Sequence, residues 1–548
     1  MVIRILFFIL LSNSLFAQTN GIFRIYFTDK NNSPYSLTAP EDFLSQKSID
    51  RRVRYSIPVD SKDLPINPHY IDSVKQFSNL FIHAKSKWMN SIAVETDSVT
   101  LDSIMNLSCV TTVVRLKSKN DIIPSEKLEV NFIRRFNSFS QNYYGAAYDQ
   151  IHIHNGELLH NLNYRGEGMT IAVLDAGFPS VNTETAFQHL FNENRVAGTY
   201  NFVSDIPDVY TNTHVHGSLV LSCMASKIEY MHVGTSPEAT YYFLLTENAN
   251  SEAPLEEDNW VEAAEYADSS GVDLINSSLG YTTFDDASLN YSYADMNGNT
   301  TFVSRGADIA AAKGILVVAS AGNNGTDSWF YIGSPGDADS VLTAGAVGTD
   351  RIYAGFSSKG PSSDGDIKPN IAAVGYATAL IWPGNPNVSF GSGTSFSSPI
   401  SCGMAACLWQ AHPEKNNMEI IAAIQQSASQ YTSPDSLMGY GIPDFYLAHQ
   451  ILSGQANQPE FLYGSVFPNP FSDELLIDLF SANEILAEIK IYSATGQFIY
   501  ATAEILVPGV KNRISLLRNT EKLSSGIYFI YIYSGNNTQV FKVNYLED

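Results

Sequence analysis

The chain has 548 residues, 44% of them hydrophobic, with 56 acidic against 32 basic side chains and a net charge of -24. That length holds more than one core, so two or three domains are expected. The charge argues against nucleic-acid binding, because tracking phosphates needs clustered Lys and Arg.

Cysteines at 109, 223, 402 and 407 are too few to build a disulfide scaffold in a chain this long. Cys223, Cys402 and Cys407 lie in apolar, helix-like stretches and read as buried thiols, with one disulfide left open.

At the start, Arg4 precedes an apolar run from Ile5 to Leu11 and then small and polar residues around Ala17, the pattern of a secretory signal peptide over residues 1–17. No later segment reaches the ~20 apolar residues of a membrane-spanning helix.

Residues 18–142 read as a small α+β unit followed by a junction. Strand-like runs at FRIYF, FIHAKSKWMNSIAVET and CVTTVVRL alternate with helices near HYIDSVKQF and SVTLDSIMNL. In the second run Trp88, Asn90, Ile92 and Val94 share one face at period two. The polar stretch from Lys117 to Asn142 has no sustained period, as a cleavable linker would not.

From 143 to 455 continuous apolar strands (MTIAVLDAGF, ATYYFLL, VDLINSSLG, ILVVASAGN, SVLTAGAVG) alternate with helices. They predict an α/β domain whose parallel sheet is covered on both faces, with chemistry beyond the carboxyl ends of the strands. Residues 456–548 change to short alternating aromatic runs and predict a small antiparallel β-sandwich.

Three motifs in the α/β domain carry reactive side chains. Asp175 ends the strand IAVL, a position that also suits helix capping or a nucleotide-binding fold. His214 and His216 open a helix-like run; as a metal pair they lack the further ligand that a metalloprotease helix supplies. Ser395 stands between a glycine-rich turn and an apolar helix, where a nucleophile has little cover and its N–H lacks an acceptor; a serine-rich helix cap has the same look.

Together, Asp, His and Ser in this chain order give the sequence of the subtilisin triad. IAVLDAGF, HGSLVLSCMAS and GTSFSSP resemble the signatures of the subtilisin-like serine peptidases, the subtilase family. The resemblance implies a triad of Asp175, His216 and Ser395, with His216 taken over His214 because it immediately precedes glycine. It implies Asn323, in SAGNNG, as oxyanion donor and Ser278, Leu279, Gly280, Gly322 and Gly333 as substrate-binding residues.

It also implies a secreted endopeptidase acting on protein or peptide substrates. A glycine at 333 and an asparagine rather than a carboxylate at 324 point to large apolar residues before the cut. The N-terminal unit would be a removable pro-segment that inhibits its own enzyme. No cofactor enters the chemistry; family members often hold structural calcium, and no ligand set here is complete by sequence. A loop at residues 281–300, longer than the family usually has, with Asp285, Asp286 and Asp295, is read as a solvated acidic loop, with a substrate-edge or calcium-binding role as the alternatives. A non-catalytic adhesin on the same fold and a metal-dependent hydrolase are the rival readings.

The tail has a second resemblance. FPNP at 467–470, IYSATG at 491–496 and LSSGIYF at 523–529, with Lys542 near the end, are similar to the C-terminal sorting domain of Bacteroidetes-type bacteria with type IX secretion. It implies recognition by that secretion machinery, export across the outer membrane, and a secreted or cell-surface location.

Overall fold

The computed structural model describes residues 20–118, 131–133, 142–211, 213–385, 387–454, 462–481, 485–507, 511–517, 523–534 and 537–546. The signal-peptide reading lies outside them. So does most of the junction.

The N-terminal unit comprises β1 (Asn20–Phe27), α1 (Gln46–Tyr55), α2 (Pro68–Lys75), β2 (Phe81–Ser86), β3 (Ser91–Asp97), α3 (Ser98–Met105) and β4 (Val110–Ser118). Its antiparallel sheet, in the order β2-β3-β1-β4, closes on a core of Ile25, Val74, Ile92, Val94 and Ile104.

The run from Phe81 to Thr96, expected as one strand, is a hairpin. The chain reverses at 87–90, where Asn90 takes the left-handed geometry, with a φ of 52, that asparagine tolerates. Ile92 and Val94 do share a face in the N-terminal core, but Trp88 is at the hairpin tip and packs with Met89 into the next domain. A three-residue strand, β5 (Asn131–Ile133), lies within the stretch read as linker.

The α/β domain follows with α4 (Tyr148–His152), α5 (Gly156–Asn161), β6 (Thr170–Asp175), α6 (Gln188–Asn192), β7 (Val196–Asn201), α7 (His216–Ala225), the two-residue strands β8 (Lys227–Ile228) and β9 (His232–Val233), β10 (Thr240–Leu245), α8 (Leu255–Ser270), β11 (Leu274–Ser277), α9 (Phe302–Ala312), β12 (Leu316–Ser320), β13 (Leu342–Val347), β14 (Ile371–Val374), β15 (Thr378–Ile381), β16 (Val388–Ser392), α10 (Thr394–Ala411), α11 (Asn417–Gln426) and α12 (Phe445–Leu452). Seven parallel strands form the sheet β14-β13-β12-β11-β6-β10-β7.

Both faces are covered, so both side-chain sets of β6 are apolar. Ile171 and Val173 pack toward α7, α10 and α11, whereas Ala172 and Leu174 pack toward α8 and α9. Strands leave β6 in both directions, β10 and β7 on one side and β11 to β14 on the other. That reversal opens a crevice at the carboxyl ends of β6 and β11.

The C-terminal unit is the expected sandwich. β17 (Leu462–Phe467), β18 (Leu475–Ser481) and β21 (Lys511–Leu517) form one sheet, and β19 (Ile485–Ser493), β20 (Phe498–Leu506), β22 (Gly526–Ser534) and β23 (Asn537–Tyr545) the other. Leu475, Ile477, Ile489, Ile491, Ile530 and Ile532 fill the space between. All four cysteines are buried free thiols, so the disulfide left open does not form.

Candidate active site

Asp175 is the last residue of β6 and is fully buried. Its Oδ1 accepts from the Ala176 N–H at 2.7 Å and bonds His216 Nδ1 at 2.8 Å. Its Oδ2 has no hydrogen-bond partner among the described residues.

His216 is the first residue of α7, and the glycine after it is a packing requirement. A Cβ at Gly217 would stand 2.3 Å from the Gly177 carbonyl oxygen and 3.0 Å from the Asp175 Cβ. Only a bare Cα lets the helix start this close to the strand end. His214, left without a role by sequence, accepts the His216 N–H at its Nδ1 over 3.3 Å. It thereby takes up one of the donors that a helix N-terminus leaves over. Burial and the nearby His216 hold its pKa below the ordinary histidine value.

Ser395 is the second residue of α10, and the helix contains Pro399. A proline four residues on supplies no N–H for the Ser395 carbonyl, which an uninterrupted helix would satisfy. Ser278 fills the vacancy: its Oγ donates to the Ser395 carbonyl at 2.8 Å, while the Ser395 Oγ donates to the Ser278 carbonyl at 3.4 Å. Asn276 extends the link, donating from Nδ2 to Ser278 Oγ at 3.1 Å and accepting from Ser398 Oγ at 2.8 Å. The end of β11 thus grips the first turn of α10 through buried neutral groups. Sequence reasoning missed Asn276, Ser398 and this positioning use of Ser278, because hydroxyls and amides in apolar strands carry no distinctive spacing.

Asn323 follows β12. Its Oδ1 accepts from the Thr394 N–H at 2.9 Å and the Thr394 hydroxyl at 3.0 Å, which leaves the Nδ2 donor to face the crevice. A Cβ built on Gly393 would lie 3.6 Å from Asn323 Nδ2 and 3.8 Å from the Ser395 nitrogen. The two donors therefore border one small volume, which a side chain at 393 would fill. Being second in its helix, the Ser395 N–H has no intrahelical acceptor.

Beside this volume, Leu279, Gly280 and Tyr281 run along Ser334, with the Tyr281 N–H donating to the Ser334 carbonyl at 2.8 Å and the Ser334 hydroxyl returning a bond to Tyr281 at 2.9 Å. Gly333 precedes that pair; the one neighbour within 4 Å of a Cβ there is Thr282 Cγ2, at 3.0 Å. Gly322 comes close to Ser358. One expectation needs correcting: Asn324 does have a carboxylate beside it, since its amide donates to the exposed Asp327 at 3.2 Å. Aspartate three residues on reaches back across a turn.

The long acidic loop does not gather its carboxylates. Asp285 accepts from the Glu252 N–H at 3.0 Å, Asp295 caps a one-turn helix with Ser292, and Asp286 pairs with Arg115 of the N-terminal unit. Among the described residues, the group of three carboxylates with ligating atoms within 4.8 Å of one another is Asp339, Asp364 and Asp366, all exposed. One oxygen from each falls short of the 6–8 that calcium takes.

On the far side of the sheet the N-terminal unit sits on α8 and α9. Arg24 reaches Asp258 through two bonds of 2.7 and 2.5 Å and stacks 3.4 Å over the Phe302 ring. Arg51 and Arg52 bond Asp268 at 2.5 and 2.8 Å, and Arg52 and Lys313 share Asp63 at 2.6 and 2.8 Å. Glu265 accepts from the Ser86 hydroxyl and from the N–H groups of Lys87 and Trp88 at 2.6, 2.8 and 2.9 Å, fixing the hairpin tip.

A parallel sheet with Asp, His and Ser at neighbouring element ends has the outline of a serine peptidase. Residues 166–441 match the Subtilase family, residues 23–130 the Peptidase S8 propeptide domain of Bacteroidota, and residues 465–544 the secretion system C-terminal sorting domain. The chain is 26% identical to Subtilisin E of Bacillus subtilis over 295 residues, 53% of this chain and 68% of that protein. It is 29% identical over 289 residues to the thermostable alkaline protease of Halalkalibacterium halodurans, 53% and 69% respectively. It is 28% identical over 314 residues to the serine protease AprX of Bacillus subtilis, 52% and 65%. The chain belongs to the subtilase family. It is a subtilisin-like serine peptidase with a pro-segment and a sorting tail that marks it for export, to the cell surface or beyond. No helix among the described residues is long and apolar enough to cross a membrane.

Proposed function

We propose that the chain is a secreted endopeptidase that cuts proteins through Asp175, His216 and Ser395. The observation that carries this reading is the 2.8 Å bond between Asp175 and His216 beside a serine held at a helix N-terminus.

His216 takes the Ser395 proton as the Oγ attacks the peptide carbonyl, then gives it to the leaving nitrogen. Asp175 fixes the ring tautomer and stabilises the imidazolium; its buried, unpartnered Oδ2 has most to gain from a neighbouring positive charge. Asn323 Nδ2 and the Ser395 N–H stabilise the oxyanion in the volume at Gly393. Water then hydrolyses the acyl ester by the same route. The chain's own side chains and one main-chain N–H, with water, supply all of these steps, so the chemistry needs no cofactor, and a bound calcium would serve stability alone.

Expressed beside a Ser395→Ala variant, the wild-type precursor is expected to degrade casein and react with a fluorophosphonate; the variant should do neither. Equal casein degradation by both would refute the assignment.

Large apolar residues before the cut are the preferred substrates, a reading supported by the glycines at 280, 322 and 333. Asp327 is exposed and occupied by Asn324, so Asp327→Asn is expected to leave the preference within about twofold in a peptide panel, as surface charges usually contribute little. Dominant cleavage after Arg or Lys, lost in that variant, would reverse the reading.

The N-terminal unit acts as inhibitor of its own enzyme, supported by the hairpin tip packed under α8 and α9 and by the ion pairs around it.

A further inference from the structure

Strand β6 ends at Asp175 between two neighbours that run on past it, β10 into Thr246 and Glu247, and β11 into Ser278, Leu279, Gly280 and Tyr281. Two strands with a third between them stand about 10 Å apart, too far for main-chain bonds. Any link between these extensions must therefore be made by a side chain. Tyr281 makes it. Its ring lies in the core with Leu174 of β6 and Leu244 of β10, and its hydroxyl donates to Glu247 Oε1 at 2.5 Å. The Thr246 hydroxyl donates to the same oxygen at 3.2 Å.

The bond is one step in a longer path. The Thr246 N–H donates to the Asp175 carbonyl at 3.0 Å, the Tyr281 N–H donates to the Ser334 carbonyl at 2.8 Å, and Ser278 holds the Ser395 carbonyl. Chain and hydrogen bonds thus run from Asp175 through Glu247 and Tyr281 to Ser278 and Ser395. Tyr281 is fully buried and Glu247 is 2% exposed, so each is costly to leave without its partner. Burial and the adjacent Glu247 hold the Tyr281 phenol far above its ordinary pKa, which keeps it a donor. Farther out, the Glu252 N–H donates to the Asp285 carboxylate at 3.0 Å and the Asp285 N–H to the Glu252 carbonyl at 2.9 Å.

Between these anchors, among the described residues, Leu279 and Gly280 make no main-chain hydrogen bond. A Cβ at Gly280, which is exposed, would meet only the Ser334 carbonyl oxygen, at 3.7 Å. That is an open strand edge, to which an extended peptide can add. We propose that Tyr281 and Glu247 are positioning residues for substrate: their bond fixes this edge relative to the end of β6, so that a peptide added to it arrives in register with Ser395. The proposal rests on Ser278, Leu279 and Gly280 lining the substrate.

Steady-state kinetics on two peptide amides tests it. One has four residues before the cut and reaches the edge; the other has a single acylated residue and does not. In Tyr281→Phe, KM for the long substrate should rise about tenfold with kcat within about twofold, the size expected for a lost hydrogen bond to a charged group. Both constants for the short substrate should hold within about twofold, since binding away from the edge is untouched. The conservative Glu247→Gln keeps an acceptor for the hydroxyl and should retain the wild-type KM. The deciding variant is Tyr281→Phe with Glu247→Leu. With both partners gone no buried group is left unsatisfied, so it should melt like the wild type. It still lacks the link, and should show the same rise in KM.

A double variant with wild-type melting and unchanged KM overturns the proposal. One that does not fold also overturns it, by making the pair a stability element. So does a single variant that affects long and short substrates alike, as loss of folded enzyme would. A wild-type KM that ignores substrate length overturns it at a different point, by showing that the edge at Gly280 takes no substrate.

Discussion

The peptidase domain has two worked surfaces, and they are built from opposite materials. Under the pro-segment, α8 and its neighbours meet Arg24, Arg51 and Arg52 with Asp258 and Asp268, nearly all of it buried. At the carboxyl edge, Ser395 is held by Asn276, Ser278, Asn323, Thr394 and Ser398, every one of them neutral. Buried ion pairs give little net stability over apolar packing, because the charges regain water when separated. Neutral groups satisfied on all sides have nothing comparable to regain. Charge is thus placed where two parts must come apart, and neutral hydrogen bonds where geometry must persist.

The sharpest way to break that contrast is at its one charged exception. Asp175→Asn keeps the shape but turns an acceptor into a donor at His216 Nδ1 and favours the wrong tautomer. We expect kcat to fall by about 10,000-fold with the pro-segment still bound normally. Progress curves on a peptide substrate check this, and a loss under tenfold would mean that Asp175 does not orient His216. Asn323→Leu comes next. It removes one oxyanion donor and should lower kcat by about 100- to 1000-fold with KM little changed. A rise in KM alone would move Asn323 from transition-state to ground-state binding.

Legibility in the sequence divides along the same line. Asp175, His216, Ser395 and Asn323 sit at ends of elements in short local motifs, and local motifs survive reading one residue at a time. The grip of Ser278 on the Ser395 carbonyl does not: it follows from Pro399, which reads as an unremarkable helix residue until the missing N–H is traced to its carbonyl. The docking charges were hidden for another reason, since Arg24 and Asp258 are 234 positions apart and no local period links them. Strands β7 and β14 escaped because one is a half-exposed edge and the other has four residues between turn signals. The hairpin at Asn90 was lost because left-handed asparagine leaves the alternation on either side of it intact.

On the charged side, Arg24→Ala would leave Asp258 facing the pro-segment without its partner. Truncating one member of a buried, hydrogen-bonded pair costs about 2 kcal/mol or more at an interface, so inhibition of the mature enzyme by added pro-segment should weaken roughly 30-fold. An unchanged inhibition constant would show that the pair contributes no affinity.

Acidity gives a smaller and graded effect. Burial in the docked state pushes Glu262 up to about 8 and Glu265 to about 7, against an ordinary value near 4.5. Once the pro-segment leaves, both face water. Docking therefore takes up protons: its full strength is present below about pH 4.5 and is lost as pH rises through 7 to 8. For each proton taken up, the inhibition constant should rise by at most about tenfold per pH unit across that window. Glu262→Gln keeps the acceptor for the Lys85 N–H, which Glu262 now binds at 3.1 Å, while removing the titration. It should flatten the upper part of the profile and tighten inhibition near pH 8; a profile as steep as the wild type would assign the proton to another group.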